Sequence, residues 1–284
     1  MHIPFQVRSF LLHLRLPYQF CILSGAYLLG GVLSPQIDLP MFLLQYVSVH
    51  FFLFGGVTVY NSYWDKDEGP IGGLKNPPRM AKWMLPASWV LQGIGLVVGL
   101  PVGRGFTALY IASMILSWAY SSPGIRWKGR PLLSVVATGS AIAFSSLMGF
   151  YAYGGNVLTV GVVMGCVTVS LLIISLYPLS QVYQIPEDTK RGDRTFAVTY
   201  GIDGVRRIFL SLYLLSITVL TGVLWSAIGA RSLILFAGAT ALSAWILHAL
   251  GRMQGNAKDY HAVMNIKYVG GIFLVIFCVA VLMI

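Results

Sequence analysis

Long apolar runs separated by short charged segments recur along the full length of this chain. About 20 such residues in a helix cross a ~30 Å hydrocarbon core. The pattern predicts nine spans, at roughly 16–33, 41–60, 85–101, 105–121, 133–152, 157–178, 206–227, 232–249 and 264–283. The expected architecture is all-α and polytopic: a single bundle of nine transmembrane helices forming one domain over residues 1–284.

Composition agrees with the pattern. The 284 residues are 57% hydrophobic and 10% charged, with mean hydropathy +0.76, values that exclude a soluble domain of this length. The basic, partly apolar start, MHIPFQVRSFLLHLRLPYQF, is followed by no small-residue cleavage site, so the first span is expected to remain in the protein. Cys21, Cys166 and Cys278 lie singly in three different spans, without the spacing of a metal site or a disulfide framework.

Charge sets the expected orientation. With the N-terminus cytoplasmic, all Lys and Arg residues from Arg8 to Lys267 fall on the cytoplasmic side except Arg104 and Arg231. Ile284 is then expected on the opposite side. The net charge of +10 is spread over short loops, which points to anionic membrane lipid or phosphate contact and away from nucleic acid. The expected location is a bacterial-type inner membrane or its equivalent.

The acids are concentrated. Six of the nine form two clusters, Asp65, Asp67 and Glu68 after the second span and Glu187, Asp188 and Asp193 after the sixth. An even number of spans separates the clusters, so both emerge on the cytoplasmic face. They share a local pattern: Tyr60-Asn61-x-x-x-Asp65 matches Tyr183-Gln184-x-x-x-Asp188. On a helix the amide and the carboxylate four residues later share a face. The match suggests two related four-helix halves plus one further helix. Pro186 is expected to interrupt the second helix before Asp188.

Hard oxygen ligands on facing helices suit Mg²⁺, which takes one or two carboxylates and bridges to substrate phosphates. Candidate ligands are Asn61, Asp65, Gln184, Glu187 and Asp188. Candidate phosphate-binding bases stand beside them: Lys75 and Arg79 after the first cluster, Lys190, Arg191 and Arg194 around the second, and Arg126 and Lys128 in YSSPGIRWKGRP. Metal-binding acids next to phosphate-binding bases at a membrane surface imply a lipid-like diphosphate substrate. Gly72-Gly73 fits either a phosphate-binding turn or a flexible link. Taken singly, Lys66, Glu68, Lys82, Arg130 and Asp259 have the character of solvated loop charges. His50, eleven positions before Asn61, should share its helix face roughly 16 Å deeper, and an intramembrane histidine is a functional candidate. A carrier and a non-catalytic lipid-binding protein are competing classes, although a carrier's acids would be expected nearer the bilayer midplane.

At these residues the chain resembles the UbiA-type intramembrane prenyltransferase superfamily. NSYWDKDEG is similar to its NDxxDxxxD motif, QIPEDTKRGDRT to DxxxDxxxGxxT, and YSSPGIRWK to its YSPPLRLK-like loop. The resemblance implies Mg²⁺ held through both acidic motifs, ionisation of an isoprenyl diphosphate, and transfer of the carbocation to a lipophilic acceptor within the bundle. It implies catalytic roles for Asn61, Asp65 and Asp188. Lys128 takes the place of the diphosphate-loop base, and Tyr60, Tyr183, Asp67 and Glu68 fall within the substrate region. Ser62, Gly69 and Gln184 stand where acids are common in the family, with Asp67, Glu68 and Glu187 near enough to compensate. A terpene cyclase is an alternative outcome on the same scaffold. Chemically, the diphosphate leaves only if cations meet its developing charge, and ring faces among 15 Tyr, 15 Phe and 7 Trp shield the allyl cation from water.

Overall fold

The computed structural model describes residues 4–283, which form helices joined by loops, with no β-strand among them. Ile284, the terminus expected on the far side, lies outside the described residues. A short helix α1 (Phe5–His13) leads into α2 (16–32), α3 (Leu39–Asp65), α4 (Met84–Gly99), α5 (Arg104–Ser121), α6 (Pro131–Ala152) and α7 (Val160–Ser175). Two short helices follow, α8 (Leu179–Val182) and α9 (Ile185–Arg191). The chain then forms α10 (Phe196–Ile228), α11 (Ser232–Leu250) and α12 (Tyr260–Leu282).

Six helical stretches are long and apolar enough to cross a membrane: Leu39–Asp65, Met84–Val102, Pro131–Ala152, Val160–Val182, Phe196–Leu250 and Ala257–Leu282. The fifth is 55 residues long and turns between α10 and α11 at Gly229, whose φ of +59° suits glycine. Helix α2 is too short for this measure, and α5 is diluted by Arg104, Thr107, Ser113 and Ser117.

Helix α2 lies at the centre. Every residue from Ser24 to Gly31 is buried, so its small residues are packed on all sides. A side chain at Gly30 would strike the backbone of Ser146 and Phe150 on α6, and one at Gly149 would strike the backbone of Tyr27. Gly271 on α12 approaches Cys21 and Ile22 in the same way. Close backbone approach through small residues is how helices associate where lipid removes the hydrophobic drive. Helices α2 and α3 each pass through a π-helical turn, Gln19–Leu23 and Ser48–Phe54, and the two turns pack together.

Two charged residues depart from the sequence expectation. Lys267, counted with the cytoplasmic bases, is buried inside α12, two turns beyond Tyr260. Asp259, expected to be a solvated charge, is also buried, because its Oδ2 accepts backbone N–H bonds from Gln254, Gly255 and Asn256 at 2.9, 2.7 and 3.2 Å. It closes a capping box with Asn256 at the start of α12.

The packing of α2 gives a stability prediction. Gly30→Ala or Gly149→Ala should destabilise the bundle by about 1–3 kcal/mol through overpacking. Gly93→Ala, where no atom lies within 4 Å, should not. Thermal midpoints of the purified protein in detergent check this; equal midpoints for all three variants would refute the close approach.

Candidate active site

Helix α3 continues past its apolar run to Asp65 and stops where Lys66 turns left-handed, at φ 51°. Asn61 and Asp65 therefore share a helix face, as the spacing predicts. In the second cluster the helix breaks at Tyr183 and Gln184, and Pro186 sits in the first turn of α9. Pro186 thus starts a helix instead of ending one, since a first-turn residue needs no N–H partner. Asp188 N still donates to Gln184 O at 2.9 Å, so the four-residue register survives the break.

The two clusters meet at one cavity of about 250 Å³. Asn61, Asp65, Asp67 and Lys128 line it from one side, and Tyr183, Gln184 and Asp188 from the other. Asn61 Nδ2 donates to Ser121 Oγ at 3.0 Å, and Gln184 Nε2 donates to Pro70 O at 3.4 Å. Each amide is anchored through its nitrogen, which leaves both amide oxygens unclaimed. Deeper walls are apolar or aromatic: Leu23 and Phe54, the last residues of the two π turns, with Tyr18, Tyr120, Tyr177 and Ile142. Tyr120 and Tyr177 join their hydroxyls at 2.7 Å.

Basic side chains hold the acids. Lys128 ion-pairs with Asp65, and Arg126 grips Asp193 through two hydrogen bonds of 2.8 and 2.7 Å while reaching Asp65 at 3.6 Å. Arg191 joins the two clusters, bonding Asp67 at 2.7 Å and Glu187 at 2.9 Å. Burial alone would raise the Asp193 carboxyl, but its hydrogen bonds and charge pairing with Arg126 prevail and hold it below the ordinary value. For Asp188, burial wins over Lys128 and the Thr195 hydroxyl and pushes the carboxyl up to about 7.

Several predicted residues lie outside the cavity wall. His50 is buried among Phe20, Tyr27, Tyr46 and Phe54, with Nδ1 on the Tyr46 carbonyl at 2.7 Å; the π-helical turn carries it away from the face of Asn61. Tyr60 turns its hydroxyl to Ser122 at 2.7 Å. Glu187 stands at the rim, where Oε1 takes the Glu68 N–H at 3.1 Å and the second oxygen fills the space beside Gly69. Glu187 thus occupies the space a side chain at position 69 would take. Glu68, Arg79, Lys190 and Arg194 are exposed around the opening, and Arg126 works through its two acids.

Arg15 was not singled out by sequence beyond its loop charge, yet it lines the cavity. Its φ of 49° directs a buried guanidinium to Ser62 Oγ at 2.6 Å and Gly72 O at 3.3 Å, and burial lowers its ordinary value. Ser62, which departs from the motif the sequence resembles, accepts that hydrogen bond. The sequence signal was a base directly before the first predicted span, two residues from Pro17. Gly72 and Gly73 also find a definite role: Gly73 has φ +82°, and a side chain at either position would press on Tyr18.

A profile of the UbiA prenyltransferase family matches residues 19–269, and the chain belongs to that family. It is an integral membrane protein. Among solved structures, a UbiA homolog from Archaeoglobus fulgidus bound to GPP and Mg²⁺ superposes with TM-score 0.74 at 18% identity, covering 97% of this chain and all of that one. The same homolog bound to DMAPP and Mg²⁺ gives 0.74 at 18%, covering 97% and 99%. A structure concerned with digeranylgeranylglyceryl phosphate synthase gives 0.66 at 18%, covering 98% and 99%. No curated protein sequence matches the chain.

The Arg126–Asp193 pair generates a pH prediction. A carboxyl held low in the fold stabilises it above the unfolded value, about 4, and loses that contribution as pH falls through the folded value. Asp193→Asn should lower the thermal midpoint at pH 7, and its difference from wild type should shrink toward pH 3. A difference independent of pH would contradict the ion pair.

Proposed function

We propose that this protein transfers a prenyl group from an isoprenyl diphosphate to a lipophilic acceptor, with Mg²⁺ as cofactor and the site opening to the cytoplasm. The observation that carries the proposal is the convergence of Asp65 and Asp188, from distant parts of the chain, on one cavity with Lys128, Arg15 and aromatic walls. No three His, Cys, Asp or Glu residues gather into a closed metal centre among the described residues. Two carboxylates with the free oxygens of Asn61 and Gln184 form the open, hard-oxygen donor set that Mg²⁺ takes when phosphates and water complete its shell. Asp65, Asp188, Asn61 and Gln184 would hold it, and bound Mg²⁺ supplies charge to the departing diphosphate.

The protein's own groups account for the rest. Lys128 and Arg15 are the cations in the cavity wall that would meet the phosphate oxygens, and cationic groups fixed in a poorly hydrated site stabilise a leaving group without having to reorganise. Arg126 and Arg191 keep Asp193, Asp67 and Glu187 from repelling the substrate. The ring faces of Tyr18, Phe54, Tyr120 and Tyr177 line the path of the prenyl chain and shield the allyl cation from water.

Nine spans, with the N-terminus cytoplasmic, place both acidic clusters at one membrane surface. Reporter fusions at the two ends should therefore report opposite compartments. For the chemistry, Asp65→Asn and Asp188→Asn should each reduce cleavage of labelled geranyl diphosphate by on the order of 100-fold. Lys66→Gln, an exposed neighbour, should change little. Unchanged turnover in both aspartate variants, or in excess chelator, would remove the proposal. Product analysis without acceptor distinguishes transfer from cyclisation.

A further inference from the structure

Helix α1 has two faces of different character. Ser9 and His13, one turn apart, are buried, whereas Phe5, Val7, Arg8, Leu11 and Leu12 are exposed on the opposite side. Four of those five are apolar. Such an outer face is costly in water and suits a helix lying in a membrane interface, with its apolar side chains among acyl chains and its base among headgroups. Arg15, with φ 49°, interrupts the helix between α1 and α2, so α1 is not a continuation of the span that follows it.

The surface beside α1 is basic and aromatic. Trp83, at the start of α4 and 40% exposed, donates its indole N–H to Gln6 Oε1 at 2.9 Å, and its ring packs on Phe10 with centroids 5.2 Å apart. Tryptophan held at a helix end with its ring partly free is typical of the headgroup level. Arg79, whose carbonyl accepts the Ser9 hydroxyl at 3.0 Å, and Lys82, adjoining Trp83, stand with Arg8 on this surface. All three bases are exposed, and none belongs to an ion pair among the described residues. Residues 1–37 and 69–186 contain no acid at all, so neither segment can supply a counter-ion. A free inorganic anion would satisfy the bases but leave the apolar face uncovered. An anionic phospholipid meets both requirements.

The buried face of α1 holds the loop after α3. Besides the Ser9 bond to Arg79, His13 Nε2 meets Pro78 O at 2.9 Å, and Arg15 donates to Gly72 O at 3.3 Å. The same loop contributes Asp67, Ile71 and Gly72 to the wall of the main cavity.

We propose that α1 and residues 79–83 form a binding surface for anionic phospholipid, with the headgroup among Arg8, Arg79 and Lys82, and that lipid seated there fixes the loop that walls the cavity. Neither half requires the transfer chemistry proposed above.

The test reconstitutes the full chain in phosphatidylcholine vesicles containing either dibrominated phosphatidylglycerol or dibrominated phosphatidylcholine. The part of the tryptophan quenching that is lost in Trp83→Phe reports lipid at this surface. In wild type that part should appear at a roughly fivefold lower mole fraction of the brominated phosphatidylglycerol, the scale of one base at an anionic leaflet. Arg8→Gln/Lys82→Gln should lose the preference. The charge-matched Arg252→Gln/Lys258→Gln, which alters two exposed bases on another loop, should keep it. Amide hydrogen exchange across residues 72–80 should slow when phosphatidylglycerol is added to wild type and stay unchanged in Arg8→Gln/Lys82→Gln. Equal quenching by the two lipids in wild type, or equal loss of preference in both double variants, overturns the site. So does its displacement by inorganic phosphate at constant ionic strength, which would make it a free-anion site. Exchange that ignores phosphatidylglycerol in wild type overturns the hold on the loop.

Discussion

Carboxylates brought together from two parts of a chain repel one another, and the bases threaded between them make this site possible. Lys128 on Asp65, Arg126 on Asp193, and Arg191 between Asp67 and Glu187 tie the α5–α6 loop, the loop after α3 and helix α9 into one charged rim. At the edge of a low-dielectric bundle such pairs are stronger than on an open surface, and a missing partner is correspondingly costly. On the proposed reading Lys128, in the cavity wall, meets the diphosphate, while Arg126 and Arg191 go on neutralising the acids around it. That rim, internally neutralised at rest, is then the place where the diphosphate would bind.

The scaffold beneath that rim is rigid for a different reason. Helix α2 is bare enough at Gly30 to touch α6 backbone to backbone, and Gly149 and Gly271 let its neighbours close in. The helix continues through a π turn to Tyr18 and Arg15 at the mouth. Arg15 fastens Ser62 and Gly72, while Tyr18 takes the Gly72-Gly73 turn on one side and Lys267 on the other. One helix thus connects the tightest packing in the bundle to the polar groups at the mouth of the cavity. Its sequence, short and only modestly apolar, gives little hint of this central place.

Sequence alone determined the helical, membrane-embedded character, because nothing but helix satisfies the backbone across such apolar runs. It also found both acidic clusters and their shared register, since the amide-to-carboxylate spacing is a local property that survives even the break at Gln184. Tertiary structure decided which of the nearby charges face the cavity. Glu187 and Asp188 are consecutive, yet one stands at the rim and the other lines the wall, a distinction set by the turn of α9. His50 was assigned by regular helical periodicity, and a π turn rotated it off that face. Arg15, directly before the first predicted span, and Lys267, just inside the last, were counted only as cytoplasmic bases, because a count of bases along the chain is blind to depth. Only the packing of α2 against α12 and the loop after α3 brings them inside, where burial converts an ordinary charge into one that requires a partner.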